Sequence, residues 1–170
     1  LVQMGADIES FHGRLPLSIK PVSSLKGIEY HLPMSSAQVQ SCVMLAGLFA
    51  DSPTTIVEPG PCRDHTERLL TSMGADIQRE GHRVTITPGN ELRPLSVWIP
   101  GDPSSAAFIL VAALVTEDSD VVLDNVLLNP TRMGLVDTLK AMGGDIEILS
   151  TEDENGEPTG QIRVRSSELK

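Results

Sequence analysis

Aromatic side chains are nearly missing from this chain, which has one Trp, one Tyr and three Phe among 170 residues. Rings of that kind form the platforms on which nucleic-acid bases stack, so single-strand binding would lack its usual contact. Basic residues are scarce too. Thirteen Lys and Arg against 23 Asp and Glu leave a formal charge of −10, and binding to a phosphate backbone needs clustered cations. Only two cysteines occur, Cys42 and Cys62. Neither stands in a CxxC or His/Cys cluster, which argues against a disulfide framework or a structural zinc site and leaves reduced thiols in a cytosolic protein as the expectation. The longest apolar run, Ala106 to Val115, is too short to cross a bilayer, which takes roughly 17–25 residues. No basic leader and no initiating Met open the chain, and the expectation is an internal fragment of a longer protein.

What the chain does have is an internal period. Leu-x-x-Met-Gly-x-Asp-Ile begins at Leu1, Leu70 and Leu139, a step of 69 residues each time. Ser35-Ser36-Ala37 recurs at the same step as Ser104-Ser105-Ala106, and Pro61-x-Arg63 as Pro130-x-Arg132. Solenoid repeats usually run 20–50 residues, so each copy is expected to be a whole supersecondary unit with its own helices and strands. The chain would hold about two and a half of them.

Within one unit the pattern reads helix, strand, helix, then strands. Ser36 to Phe49 starts on a capping Ser and is apolar on almost every face beyond Gln40, which predicts a helix buried all round. Pro53 to Glu58 is rich in β-branched residues and predicts a strand. Asp64 to Met73 predicts an amphipathic helix closed by Gly74, and 75–78, 84–87 and 95–99 predict strands joined by turns. The next copy gives helices at 105–115 and 134–142, with strands at 121–126, 145–149 and 161–165. The acidic stretch Thr151 to Gly160 reads as a solvated hairpin loop rather than a metal site. Met4, Met73 and Met142 are expected to pack in the core at the ends of second helices.

Chemistry is expected at two helix starts. Ser35, Ser36 and Gln38 crowd the amino end of an apolar helix, where unpaired N–H groups and partial positive charge can seat a phosphate; for the serines alone simple capping is the plainer reading, and Gln38 is what favours a ligand. Gln38 is a long amide at an apolar helix start, better placed to meet a ligand than to pack. Arg63 precedes a helix amino end, where a cation opposes the dipole unless an anion lies between. That anion is either an intramolecular carboxylate, such as Asp64 or Glu67, or a ligand. For Arg132, which repeats the placement, the intramolecular carboxylate is the preferred reading. His65 reads as a surface or capping residue. Cys62, beside Arg63, reads as an inert thiol unless the arginine lowers its pKa.

The segments SSAQVQSCVMLAGL (35–48), RDHTERLL (63–70), PGDPSSAAFILVAAL (100–114) and NPTRMGLVDTLKAMGGDIEI (129–148) closely resemble the enolpyruvylshikimate-phosphate synthases, in the Ser-Ala-Gln form often called class II. The resemblance runs from Leu1 to Lys170. It implies the α/β enolpyruvyl transferase fold of repeated βαβαββ units, with helices inside and sheets outside. Residues 1–100 would be part of the first of two lobes and residues 101–170 the start of the second, with the crossover near Gly101. The reaction implied is transfer of the carboxyvinyl group of phosphoenolpyruvate to the 5-hydroxyl of shikimate 3-phosphate, in aromatic amino acid biosynthesis.

Motif by motif, the resemblance gives Ser36 and the Ala37 backbone to the shikimate phosphate. Gln38 would lie against the shikimate ring and near phosphoenolpyruvate, and Arg63 would contact the phosphorylated shikimate. Asp102, Ser104 and Ser105 are read as hinge and capping residues. No catalytic acid or base falls within the chain, which is expected to be inactive alone. No metal or organic cofactor is implied, nor any nucleic-acid or membrane partner, and a cytoplasmic monomer is expected. The alternatives are an enolpyruvyl transferase acting on UDP-N-acetylglucosamine, whose reactive-cysteine loop has no counterpart here, and a non-catalytic repeat module in which these residues only cap helices.

Overall fold

The computed structural model describes all 170 residues, which fall into two compact units, Leu1–Leu95 and Ser96–Lys170. No helix is long and apolar enough to cross a membrane.

The first unit contains one complete repeat: β3 (Glu29–His31), α1 (Ala37–Gly47), β4 (Thr54–Val57), α2 (His65–Ser72), β5 (Asp76–Glu80) and β6 (Arg83–Thr87). The strands form one sheet in the order β3-β4-β6-β5, with β3 parallel to β4 and the other pairs antiparallel. Alternate residues on one face, Thr54 and Ile56 on β4 and Val84 and Ile86 on β6, are fully buried, as period-2 patterning requires of a sheet covered on one side. Val43 and Met44 of α1 and Leu70 of α2 complete that core. Before this repeat, the hairpin β1 (Asp7–Phe11) and β2 (Arg14–Lys20) pairs only with itself. At a 69-residue step its Leu15 and Leu17 correspond to Val84 and Ile86, yet they are 80% and 49% exposed.

The second unit repeats the order with α3 (Pro103–Val115), β7 (Asp120–Leu127), α4 (Gly134–Ala141), β8 (Asp145–Glu154) and β9 (Glu157–Arg165), in an antiparallel sheet β7-β9-β8. Its core gathers Leu110 and Leu114, Val136 and Leu139, and Ile162 and Val164. A parallel bridge from Gly101 to Val126 stands where the first unit pairs β3 with β4.

The threefold motif turns out to be a stop-and-restart device. Gly5, Gly74 and Gly143 have φ of 91°, 98° and 92°, the left-handed conformation that ends a helix and that side chains beyond Gly resist. Two residues later Asp7, Asp76 and Asp145 each open a strand.

Several expectations need correction. Residues 95–99 form no strand, and only Gly101 makes a bridge; Pro94 and Pro100 flank the segment, and proline removes ladder donors. Thr151 to Gly160 is not a loop, because β8 and β9 run through it to a two-residue turn, Asn155-Gly156, with φ of 54° and 85°. Asn-Gly is the preferred pair for such a hairpin turn. Neither apolar helix is buried all round: each lies on its sheet with one face only, leaving Leu45 of the first and Phe108 and Val115 of the second exposed, with Phe49 exposed just past the end of the first. Met4 and Met73 do pack in the core, although Met4 belongs to a short 3-10 turn, whereas Met142 is partly exposed.

Candidate functional site

Ser36 is the cap of α1. Its backbone is extended, and its Oγ accepts from the Val39 N–H at 3.4 Å, satisfying one of the donors that a helix start leaves over. Ala37 and Gln38 open the helix and line a groove of about 570 Å³ together with Ser41 and Leu45 farther along it. The opposite wall comes from the start of α2: Arg63, His65 and Thr66. A hydrogen bond between the Ser41 and Thr66 hydroxyls, 2.6 Å long, ties the two walls together. The structure therefore brings Ala37, Gln38 and Arg63 into one groove, with Ser36 one residue from its edge.

Arg63 is exposed and makes no hydrogen bond or ion pair in the unit. Neither carboxylate suggested for it is its partner. Asp64 receives Arg68 at 2.8 Å, and Glu67 receives Arg79 and Gln40. Burial, reinforced by Glu58, pushes the Cys62 thiol above its ordinary range, against a smaller opposing effect of the Ser35 hydroxyl. The inert reading of Cys62 fits this direction, and a thiol lowered by Arg63 does not. Cys42, on the groove wall, is exposed, and both thiols are free.

Beneath the groove lies a polar cluster that sequence reasoning missed. Gln40, 2% exposed, donates through Nε2 to Glu58 Oε1 at 2.7 Å and to Glu67 Oε1 at 2.8 Å. Arg79 joins both glutamates, and hydrogen bonds to Glu67 and then Glu58 hold its guanidinium still more firmly protonated than usual. The available signals were faint: a Glu closing a β-branched strand, and an amide on the apolar side of a helix.

In the second unit Arg132 meets an internal carboxylate, as expected. Its Nη2 donates to Asp102 Oδ1 at 2.6 Å and to Ser104 Oγ at 2.7 Å. Asp102 also caps α3 by accepting from the Ser104 N–H at 3.0 Å. That N–H and Arg132 hold its carboxyl below the usual range. Asn129, fully buried, fixes the turn that delivers Arg132 by accepting from the Thr131 N–H.

Fold and groove define a class: an α/β protein of repeated βαβαββ units with a groove between the starts of two helices, α1 and α2. Comparison with known proteins narrows it. The family model of EPSP synthase (3-phosphoshikimate 1-carboxyvinyltransferase) matches residues 1–170, and the chain belongs to that family. It is 48% identical over 176 residues to the 3-phosphoshikimate 1-carboxyvinyltransferase of Hydrogenovibrio crunogenus, covering 100% of this chain and 40% of the relative. The enzyme of the same name from Novosphingobium aromaticivorans is 50% identical over 175 residues, covering 99% of this chain and 40% of that protein. Among solved structures, EPSP synthase from Acinetobacter baumannii superposes with a TM-score of 0.92 at 44% identity, over 98% of this chain and 38% of that one. The chain thus spans about 40% of the length of the curated relatives it matches. These relatives favour the shikimate reading over the UDP-N-acetylglucosamine one.

Proposed function

We propose that the full-length protein carrying this chain transfers the carboxyvinyl group of phosphoenolpyruvate to the 5-hydroxyl of shikimate 3-phosphate, releasing phosphate, and that α1 and the Arg63 loop supply the shikimate 3-phosphate side of the site. Ser36 and the Ala37 N–H hold the phosphate, and Arg63 neutralises it. Gln38 lies against the ring and reaches phosphoenolpyruvate.

The observation that carries this reading is the difference between the two copies. In the second, one carboxylate sits between a helix start and an arginine: Asp102 accepts from the Ser104 N–H and from Arg132. One repeat earlier, Arg63 takes the place of Arg132 and Ser35 that of Ser104, but Pro33 replaces Asp102, and proline offers no side-chain acceptor. Helix α1 also starts nearly one turn later than α3 relative to the repeat, since Ala37 matches Ala106 while α3 begins at Pro103. The first copy thus keeps the cation and the helix start and lacks the internal anion. An anionic ligand fits that combination.

The groove wall carries Cys42, Arg63 and His65 but no carboxylate or lysine, and protonating a methylene while deprotonating a hydroxyl calls for a pair of placed acid–base groups. The chemistry then depends on residues outside the chain, and the 170 residues alone have no turnover. On this reading residues 1–100 belong to one lobe and 101–170 begin the second, in a cytoplasmic monomer that uses no metal or organic cofactor. Calorimetry on the full-length protein tests the assignment. Shikimate 3-phosphate binds, UDP-N-acetylglucosamine does not, and Arg63→Ala weakens the former about 10- to 100-fold, as loss of a charged hydrogen-bond donor predicts. An unchanged affinity refutes the role of Arg63.

A further inference from the structure

Gln40, Glu58, Glu67 and Arg79 line no part of the groove, yet they join every element that carries a proposed ligand contact. Gln40 leaves α1 two residues beyond Gln38, on the side turned toward the sheet rather than the groove. Glu58 follows β4 and precedes the loop that delivers Arg63, and Glu67 stands in the first turn of α2, just after that loop. The two carboxylates therefore bracket Arg63 along the chain. Arg79, on β5, grips both: Nη1 reaches Glu58 Oε2 at 2.8 Å, Nη2 reaches Glu58 Oε1 at 3.0 Å, and Nε reaches Glu67 Oε2 at 2.8 Å.

Such a cluster is a poor way to obtain stability alone. Burying charges costs desolvation that packed apolar side chains avoid, and Gln40 Oε1 is buried with no hydrogen-bond partner. What forked, charge-assisted bonds provide is geometric precision between chain segments. We infer that Glu58, Glu67 and Arg79 are positioning residues, a clamp that holds the Arg63 loop against the amino end of α1 so that Arg63 is set for the ligand before it arrives. The clamp touches no ligand and acts through Arg63. This rests on the assignment of Arg63 to shikimate 3-phosphate given above.

A double-mutant cycle in the full-length protein tests it, with the dissociation constant for shikimate 3-phosphate as the readout. Glu58→Gln, which keeps the shape and removes the charge, weakens binding about tenfold in the natural background, since small misplacements of a positioning group are costly. In an Arg63→Ala background the same change adds less than twofold. Equal losses in both backgrounds, or no loss in either, overturn the clamp. If Arg63→Ala alone has no effect, the underlying assignment fails instead, so the two failures are distinct. Arg79→Lys, which keeps the charge and loses the fork, replaces Glu58→Gln if that variant does not fold. A measurement on the unaltered protein serves in every case. Crystal structures with and without shikimate 3-phosphate should show residues 58–64 superposed relative to α1 within about 1 Å, as in preorganised sites; a larger movement on binding refutes preorganisation.

Discussion

Replacing Gln40 by glutamate changes one NH₂ into one oxygen at almost constant volume, in a place where the cost can be worked out. The Gln40 amide donates to two carboxylates, at 2.7 and 2.8 Å, from a position 2% exposed to solvent. A protonated carboxyl at that position has one donor instead of two, so one hydrogen bond to a charged acceptor is lost, worth about 1.5–3 kcal/mol. An ionised carboxyl would place a third negative charge beside Glu58 and Glu67, with Arg79 as the single cation among them. Folding therefore holds the new group protonated, and its folded pKa rises above the unfolded value of about 4.3. The sign follows. Below pH 4 both states are protonated and only the lost bond counts, whereas above it the unfolded chain releases a proton that the folded chain keeps. The deficit then grows by about 1.4 kcal/mol per pH unit, adding about 3–4 kcal/mol by pH 7 if the folded pKa lies at 7 or higher. Denaturant titrations of the Gln40→Glu variant and the unaltered full-length protein, at pH 4.5, 6 and 7.5, measure the difference. Equal deficits at the three pH values, or a deficit under about 1 kcal/mol at pH 7.5, would refute a tightly coupled carboxylate cluster.

Two further outcomes concern the second unit. A Cβ at Gly160 would lie 1.9 Å from the Ser150 carbonyl oxygen, so Gly160→Ala forces the β8–β9 backbone apart and should cost about 3 kcal/mol in the unfolding transition of that unit; a loss under about 0.5 kcal/mol would contradict the close strand approach. Arg163 and Arg165 hold the Asp120 and Asp145 carboxyls below the usual aspartate range. Their stabilisation is complete at neutral pH and fades as pH falls through the lowered folded values, beneath the ordinary 3.8. The stability lost on acidification below that pH should therefore be smaller in the double variant Asp120→Asn, Asp145→Asn than in the unaltered protein, and identical acid profiles for the two would contradict it.

The repeat was legible because three motifs shared one step, and its meaning followed from backbone chemistry: a glycine that ends a helix is hard to replace, so Gly5, Gly74 and Gly143 recur with their neighbours. The start of α1 was equally readable, since Ser36 caps it from within its own sequence neighbourhood, whereas α3 begins at Pro103 behind its cap Asp102, two residues before the expected 105. The turn at Asn155-Gly156 was in plain view as a dipeptide, but the acidic residues around it read as loop, although strand residues at a sheet surface can be acidic too. Residues 95–99 have strand composition, and composition does not say whether an edge is free to receive them. The cluster of Gln40, Glu58, Glu67 and Arg79 was the hardest part to see. Its members lie up to 39 positions apart, from Gln40 to Arg79, and nothing local marks a glutamate that will be buried.

The β1–β2 ribbon has its oily side turned to water, with Leu15, Leu17 and Ile19 all uncovered. Two strands with no third neighbour are marginal in water. Nothing in this unit covers that side, so the ribbon should be the first place proteases cut if these 170 residues were handled alone. The complete repeat next door shows what kind of cover is called for: the matching side chains there lie under α1 and beside β4.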